Sequence, residues 1–300
     1  MKTVITSEVP IRAQDPAKAA RPGSILRQSL FAETAEDTLG FRLIRSQYQE
    51  GELAFESPRH HHTFQQLRWT ESGSVNFAPH RNIDEGDLAY FPRGAYYGPQ
   101  RKDQGAALLL QYGFGEEFLH TRARSRDGDG GDDDAKAEAA LERLRETGTF
   151  ADGSYTDTDP ATGRPRTRDS VEAIYDARTN GRHTVPPAGF AAPILMHPTA
   201  FTYYQAADGV EIKHLGSFFD HPGPDADLRI SIVRLTGDAA YAFTPDRAQI
   251  AWTTNEGLRI DGVPHPKLTC LYSPRGELDT VTGIEGVEIL VLEMPRLQGR

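Results

Sequence analysis

The sequence contains two copies of one pattern, and this internal repeat constrains the fold more than any other feature. In each copy, short alternating apolar segments are separated by Gly and Pro. Five pairs of segments recur in the same order: FRLIRSQY at 41 with LRISIVRL at 228, GELAF at 51 with GDAAY at 237, QLRWTESG at 66 with QIAWTTNEG at 249, YFPRG at 90 with YSPRG at 272, and LLLQY at 108 with ILVLE at 289. The shared order indicates a duplication. Short alternating strands with Gly and Pro turns predict that each copy is an antiparallel barrel or jelly roll.

The segments outside the two copies have a different character. Between the copies, the polar run at 126–134 is followed by patterns that predict helices over Ala135–Thr147 and Asp169–Thr179. Near the N-terminus we predict an extended arm that packs on a partner subunit, and a short helix over Gln28–Glu36. The predicted division is an N-terminal arm (1–40), a first barrel (41–115), a helical, loop-rich connector (116–195) and a second barrel (196–300).

Composition and charge argue against several function classes. The net charge is −10 and no basic stripe is present, so nucleic acid and anionic membranes are not the expected partners. No apolar run approaches the roughly 20 residues that cross a bilayer. Because the N-terminal segment also lacks the apolar core of a signal peptide, we expect a cytoplasmic protein. The single cysteine, Cys270, lies in the apolar segment KLTCLY and is predicted to be a buried residue.

Three consecutive histidines occur in the first copy alone. Where the first copy has RHHHTF, the second copy is shorter and reads AFTPDRA, so the barrel fold does not require the histidines. On a strand, residues two apart face one side, which places His60 and His62 inside the barrel with Gln66, and His61 outside. Two imidazoles and a third ligand fit a divalent transition metal: Fe, Mn, Ni, Cu or Zn. The alternative is a solvated histidine run at a strand start.

The residues from 54 to 97 resemble the two motifs of the cupin superfamily. These motifs are G-x5-H-x-H-x3/4-E-x6-G and G-x5-P-x-G-x2-H-x3-N. The corresponding residues here are Ala54, His60, His62, Gln66 and Gly73, followed by Gly86, Pro92, Gly94 and Tyr97. Together with the repeat, the resemblance implies a bicupin, an all-β chain of tandem double-stranded β-helix (jelly-roll) barrels with a helical connector. It implies metal ligation by His60 and His62, with Gln66 in place of the family's glutamate.

Tyr97 stands where the second motif has its histidine, and three roles are open for it. It is a phenolate ligand, a catalytic acid or base beside the metal, or a wall residue in a cupin that has lost its metal. Arg68 shares the inner face with Gln66, where a guanidinium can hold a carboxylate or enolate oxygen. Pairing with an acidic neighbour at the barrel rim is the alternative for Arg68. Three further residues are predicted to line the cavity and contact substrate: Tyr90, Tyr96 and Gln111.

These residues predict a metal-dependent enzyme that acts on a small organic acid or a phenolic metabolite in the first barrel, while the second barrel is structural. A dioxygenase-type oxidoreductase with iron is the favoured interpretation, with Tyr97 and Arg68 as catalytic residues. A redox-neutral isomerase, cyclase or lyase is the first alternative, and a metal-free small-molecule-binding protein is the second. The expected partners are a small-molecule substrate and a second copy of the chain, as a homodimer.

Overall fold

The computed structural model describes residues 1–13, 21–33, 40–51, 54–102, 104–113, 131–179, 185, 187–219, 226–284 and 286–296. The chain divides into two compact units. One unit, which we call the histidine unit, consists of Ile11–Arg27 and Leu43–Leu195. The other, which we call the C-terminal unit, consists of Met1–Pro10, Gln28–Arg42 and Met196–Arg300.

The first part of the chain is built from short strands. They are β1 (Lys2–Ile5), β2 (Arg12–Ala13), β3 (Ile25–Glu33), β4 (Phe41–Tyr48), β5 (Phe55–Ser57), β6 (Gln65–Ser72), β7 (Ser74–Ala78), β8 (Arg81–Asp84), β9 (Leu88–Phe91), β10 (Gln100–Lys102) and β11 (Gly105–Tyr112). A 3-10 helix at Thr6–Glu8 follows β1. The extended segment Lys2–Ile5 pairs with a strand of the same chain, Lys2 opposite Tyr272.

The helix predicted over Gln28–Glu36 is wrong, because residues 28–33 belong to strand β3. The segment LRQSLFAE contains good helix formers, but helix propensity is a weak preference that pairing in a sheet overrides. Strand β3 pairs with β2 and lies in a seven-stranded sheet. Residues 34–36 of the predicted helix lie outside the described residues.

The connector contains two helices and a small sheet. Its elements are α1 (Gly131–Thr147), β12 (Gly148–Ala151), β13 (Ser154–Thr158), β14 (Pro165–Asp169) and α2 (Ser170–Arg178). Both predicted helices are confirmed, and Asp169 caps α2 by accepting hydrogen bonds from the N–H groups of Val171 and Glu172 at 2.9 and 3.1 Å. The antiparallel sheet β12–β13–β14 was not predicted, because its strands lack a clear apolar alternation.

The last part of the chain is again built from strands. They are β15 (Ile194–Met196), β16 (Tyr204–Ala207), β17 (Val210–Phe219), β18 (Asp227–Leu235), β19 (Ala240–Ala242), β20 (Gln249–Thr253), β21 (Leu258–Ile260), β22 (Val263–His265), β23 (Thr269–Ser273), β24 (Thr280–Gly283) and β25 (Val287–Glu293). A 3-10 helix at Pro198–Ala200 follows β15. Among the described residues, no helix combines the length and the apolar character that a membrane crossing needs.

The two copies of the repeat have the same strand order. One large sheet runs β15-β9-β6-β11-β4-β3-β2, and the other runs β1-β23-β20-β25-β18-β17-β16. The smaller pairs β5–β10 and β7–β8 correspond to β19–β24 and β21–β22. The predicted fold class, an all-β chain of tandem jelly-roll barrels with a helical connector, is therefore confirmed.

The strand register corrects one of the five sequence matches. Gln66 lies opposite Gln111 on β11, and its equivalent Gln249 lies opposite Glu293 on β25. Gln111 therefore corresponds to Glu293, one residue later than the predicted pairing of LLLQY at 108 with ILVLE at 289. A one-residue shift exchanges the two faces of a strand, and a nearly continuous apolar run does not reveal which face is inside.

The core of the C-terminal unit lies between its seven-stranded and four-stranded sheets and is apolar. It contains Val210, Val233, Leu235, Phe243, Ala251, Leu258, Leu271, Val281, Val287, Ile289 and Val291. Cys270 is a buried thiol that forms no disulfide among the described residues, and its burial agrees with the prediction. The buried guanidinium of Arg247 is paired with Asp227, Nη2 to Oδ1 at 2.7 Å, and also donates to the Asp227 backbone carbonyl at 2.7 Å.

Replacing Arg247 with Met should destabilise the protein by roughly 3 kcal/mol, because the buried Asp227 carboxylate loses its buried partner. The free energy of unfolding, measured by urea denaturation, checks this expectation. Arg259→Met, at an exposed position on β21, is the matched control and should change stability by less than about 0.5 kcal/mol. Equal stabilities of the two variants would contradict the assigned role of Arg247.

Candidate functional site

The histidine segment lies between β5 and β6 in the chain, and backbone hydrogen bonds to Tyr97 and Gly94 hold it in place. His60 and Tyr97 form a reciprocal pair, in which each N–H donates to the other's carbonyl oxygen at 2.9 Å. The N–H of Gly94, at φ +74°, donates to the carbonyl of His62 at 2.8 Å. In the C-terminal unit, Gly276 makes the equivalent bond to Pro245 at 2.8 Å. The repeated Pro-Arg-Gly turn thus anchors the preceding loop in both copies, and only in the first does that loop carry histidines.

The side chains of His60, His62 and Tyr97 form one cluster. The ring centroids of the two imidazoles are 5.0 Å apart, and the His60 and Tyr97 rings are 4.3 Å apart. His60 Nδ1 lies 2.8 Å from the carbonyl oxygen of Pro58, which leaves Nε2 as its available nitrogen. His62 Nε2 lies 2.5 Å from the Tyr97 hydroxyl.

Burial keeps this cluster uncharged. Desolvation, reinforced by neighbouring positive charge, holds the pKa values of His60 and His62 well below the usual value for histidine. Burial also raises the pKa of Tyr97 to about 12, and the positive charge of Arg68 opposes that shift. Near neutral pH the phenol is therefore protonated and donates its proton to the Nε2 lone pair of His62.

Arg68 and two glutamines continue the inner wall beyond the cluster. With its amide oxygen facing Arg68, Gln66 accepts hydrogen bonds from Nε at 2.6 Å and Nη2 at 3.0 Å. The amides of Gln66 and Gln111 are 2.6 Å apart. Arg68 Nη2 lies 3.4 Å from the Tyr97 hydroxyl, and the guanidinium lies 4.4 Å from the ring centroid of Phe91. The structure therefore brings six predicted residues together: His60, His62, Gln66, Arg68, Tyr97 and Gln111.

Tyr90 and Tyr96, predicted to line the same cavity, lie elsewhere. Tyr90 is buried on the opposite face of β9 and donates to Gln65, which also accepts from Tyr112. Successive residues of a strand face opposite sides, so a side chain next to the inward Phe91 points away from the interior. Tyr96 is 45% exposed and stacks on His61, with the ring centroids 4.2 Å apart.

His61 faces away from the cluster, as predicted, and contacts helix α2 of the connector. Its backbone N–H donates to Glu172 Oε1 at 2.9 Å, and its ring Nε2 lies 3.4 Å from the same oxygen. Burial raises the pKa of Glu172 to about 7, although the bond from the His61 N–H opposes the shift. The first turn of α2 is thus attached to the histidine segment.

Arg27, Tyr48 and Lys102 also face the interior, and the sequence did not reveal them. On β3, Arg27 is two residues after the inward Ile25. Tyr48 belongs to the same buried cluster as Ile25 and Phe55. Lys102 lies opposite Phe55 and donates from Nζ to the Tyr48 hydroxyl at 3.2 Å. Strand alternation was the available signal, but on strands this short a cation normally indicates the solvent face.

No protein-family model matches the chain, and no curated protein matches its sequence. Solved structures do match its fold. A proposed dioxygenase from Nostoc punctiforme PCC 73102 superposes with a TM-score of 0.57 at 10% identity, over 100% of this chain and 86% of that chain. Oxalate decarboxylase from Bacillus subtilis superposes with a TM-score of 0.51 at 13% identity, over 98% of this chain and 76% of that chain. A mutant of the same decarboxylase superposes with a TM-score of 0.52 at 13% identity, over 100% and 78%.

This chain has the bicupin fold. Identities of 10 and 13% extend the likeness to the architecture alone. A fold that hosts many chemistries does not specify a reaction, so the function of this chain depends on the side chains of its own interior.

The side chains of His60 and His62 are suited to hold a transition metal, whereas the Gln66 amide is engaged by other side chains. Anchoring Nδ1 on a backbone carbonyl, as His60 does, is how metal-binding histidines are commonly oriented. The Gln66 amide is engaged by Arg68 and Gln111, so the Tyr97 oxygen is the nearest further donor. In the part of the chain that the structure describes, no three His, Cys, Asp or Glu side chains are grouped to share a metal ion.

Glu172→Gln should reduce the pH dependence of stability between about pH 4.5 and 7. The folded-state pKa of Glu172, about 7, exceeds the usual value of 4.5 for a glutamate, so the folded protein binds the proton more tightly. Raising the pH through this window therefore destabilises the native protein, and the amide variant lacks that contribution. Urea denaturation at several pH values tests the effect, with the exposed Glu142→Gln on α1 as the control. Identical pH profiles for wild type and Glu172→Gln would contradict the expectation.

Proposed function

We propose that this chain is a metal-dependent bicupin enzyme that acts on a small organic acid inside the histidine unit. The observation that carries the proposal is the grouping of His60, His62, Tyr97 and Arg68 in one barrel interior. In the C-terminal unit, the position equivalent to Arg68 is Ala251, which belongs to an apolar core. The same scaffold therefore carries reactive groups in one copy, and we propose that the other copy is structural.

His60 and His62 are the proposed metal ligands, and the Tyr97 oxygen is the nearest third donor. A divalent transition metal, with iron favoured over manganese, nickel, copper and zinc, would supply Lewis acidity and, as iron, reactivity toward dioxygen. The imidazoles are suited to this role because their lowered pKa values keep them neutral near pH 7. Neutral imidazole is the form that binds metals.

Arg68 is the proposed substrate-binding residue. Its guanidinium is buried, it rests on the faces of Phe91 and Tyr97, and its Nη1 has no hydrogen-bond partner among the described residues. A carboxylate accepts paired hydrogen bonds from such a group and compensates its charge. The buried aromatic rings around it exclude water, which strengthens the interaction.

Tyr97 is the proposed proton donor and acceptor. Its hydroxyl lies between His62 Nε2 and Arg68 Nη2, at 2.5 and 3.4 Å. The Arg68 guanidinium would stabilise the phenolate that remains when Tyr97 gives its proton to a substrate. Proton transfer at this oxygen favours a second candidate, a redox-neutral isomerase, cyclase or lyase. The first candidate, a dioxygenase-type oxidoreductase, agrees with the fold shared with the proposed dioxygenase from Nostoc punctiforme.

Oxygen uptake separates the two candidates. A dioxygenase consumes O2 together with the organic acid, and its turnover stops under argon. A redox-neutral enzyme converts the same acid at an equal rate with and without O2. Turnover that persists without any metal would contradict both forms of the proposal and favour chemistry by the side chains alone.

His60→Ala and His62→Ala should each abolish most metal binding, since each removes one of the two imidazole ligands. Metal content, measured by mass spectrometry on protein purified without added metal, checks this expectation. His61→Ala and His80→Ala are the matched controls, because His61 bonds to Glu172 and His80 is exposed in the turn after β7. Gln66→Ala should also retain metal. Wild-type protein without metal, or unchanged content in the first two variants, would contradict the proposed site.

A further inference from the structure

The interior of the histidine unit contains three cations without carboxylate partners. These are Arg27, Arg68 and Lys102, and none forms an ion pair among the described residues. Arg68 is 4% exposed and Lys102 is 3% exposed. Burial, followed by the charges of Arg68 and Arg27, holds the pKa of Lys102 well below the usual value for lysine.

Several hydrogen-bond donors of this cluster are unused. Arg68 Nη1 and Arg27 Nε are buried and have no partner in the described part of the chain. Lys102 Nζ donates one hydrogen bond to Tyr48, and its remaining N–H faces the rings of Tyr48 and Phe55, whose centroids are 4.6 and 5.7 Å away. A buried charged donor without an acceptor lowers the stability of the folded protein, and a bound acceptor would offset that loss.

Two other arginines of the chain are paired with carboxylates. Arg247 is paired with Asp227 at 2.7 Å, and Arg21 with Asp169 at 2.6 Å. The chain has more carboxylates than cations, with 43 Asp and Glu against 33 Lys and Arg. Among the described residues, Arg27, Arg68 and Lys102 form no such pair, as expected where the counter-charge comes from a ligand.

The free donors form two groups along the barrel wall. Arg68 lies over Phe91 and Tyr97, beside His62. Lys102 lies over Tyr48 and Phe55, on the wall formed by β4, β5 and β10. One carboxylate satisfies one guanidinium fork, so a second group of donors requires a second anionic end.

We infer that the interior of the histidine unit binds a small dicarboxylate, with one carboxylate on Arg68 beside Tyr97 and the other on Lys102 and Arg27. This inference deepens the proposed function, on which it rests for the assignment of this interior as the substrate site. It selects a doubly charged organic acid over the phenolic metabolite that the sequence also allowed. The end held by Arg68 is the end next to the imidazoles and the Tyr97 hydroxyl.

Two effects should accompany such a site. A dicarboxylate that binds the native state raises the melting temperature as its concentration rises. Replacing Lys102 with Met, which fills similar volume without charge, should stabilise the ligand-free protein and weaken dicarboxylate binding roughly 10- to 100-fold. Stabilisation combined with loss of binding distinguishes a ligand site from a cation with a structural role.

Calorimetric titration and thermal denaturation test the inference on the full chain, both as purified and after chelation of metals. Succinate is the probe, with acetate, inorganic phosphate and sodium chloride compared at equal ionic strength. Succinate should bind and raise the melting temperature, acetate should do so far less, and Lys102→Met and Arg68→Met should each lose the succinate response. Arg259→Met, at an exposed position on β21, should keep it. Folding of the variants is verified by circular dichroism.

Three outcomes would overturn the inference: no response to succinate beyond that to sodium chloride, equal responses to succinate and acetate, or a response to phosphate alone. A succinate response that survives in both interior variants would also overturn it, because the anion would then bind elsewhere. Succinate binding by a protein that never retains metal would support the dicarboxylate site while contradicting the metal-dependent function. The two proposals therefore fail separately.

Discussion

The register of β6 against its two neighbours determines which side chains enter the barrel of the histidine unit. Gln66 lies opposite Phe91 on β9 and opposite Gln111 on β11. Because side chains alternate along a strand, this pairing directs Gln66 and Arg68 inward and Gln65 outward. The hydrogen bonds of Gln65 to Tyr90 and Tyr112 satisfy the outer face, so a shifted register would leave these buried polar groups without partners.

The two copies share one topology but differ in the side chains that fill their interiors. In the C-terminal unit, inward positions are filled by Val, Leu, Ile, Phe and Ala, which stabilise by burying apolar surface. In the histidine unit, equivalent positions carry Arg68 and other polar groups, whose desolvation costs stability. Duplication allows this division, since an apolar copy can stabilise the chain while a polar copy carries a site that lowers stability.

Helix α2 of the connector contacts the histidine segment. The N-terminus of α2, capped by Asp169, places Glu172 against the backbone of His61. The Pro-Arg-Gly turn holds His62 from the other direction, through the N–H of Gly94. Backbone hydrogen bonds with Tyr97 and Gly94, and the Glu172 carboxylate that accepts from the His61 N–H, thus position a histidine segment that is not itself part of a regular strand.

The sequence by itself determined the duplicated β architecture, the connector helices and the residues around His60, His62 and Tyr97. Those features depend on local patterns, such as turn residues, apolar periodicity and motif spacing. Tertiary structure decided the register of β11 and which face of each short strand is inside. These determine the outward direction of the Tyr90 and Tyr96 side chains and the inward position of Arg27 and Lys102. The physical reason is that hydrogen bonding to a neighbouring strand, and not the residue's own polarity, sets the direction of a side chain in a sheet. A buried cation resembles an exposed one in sequence, and only its surroundings show that its counter-charge is missing.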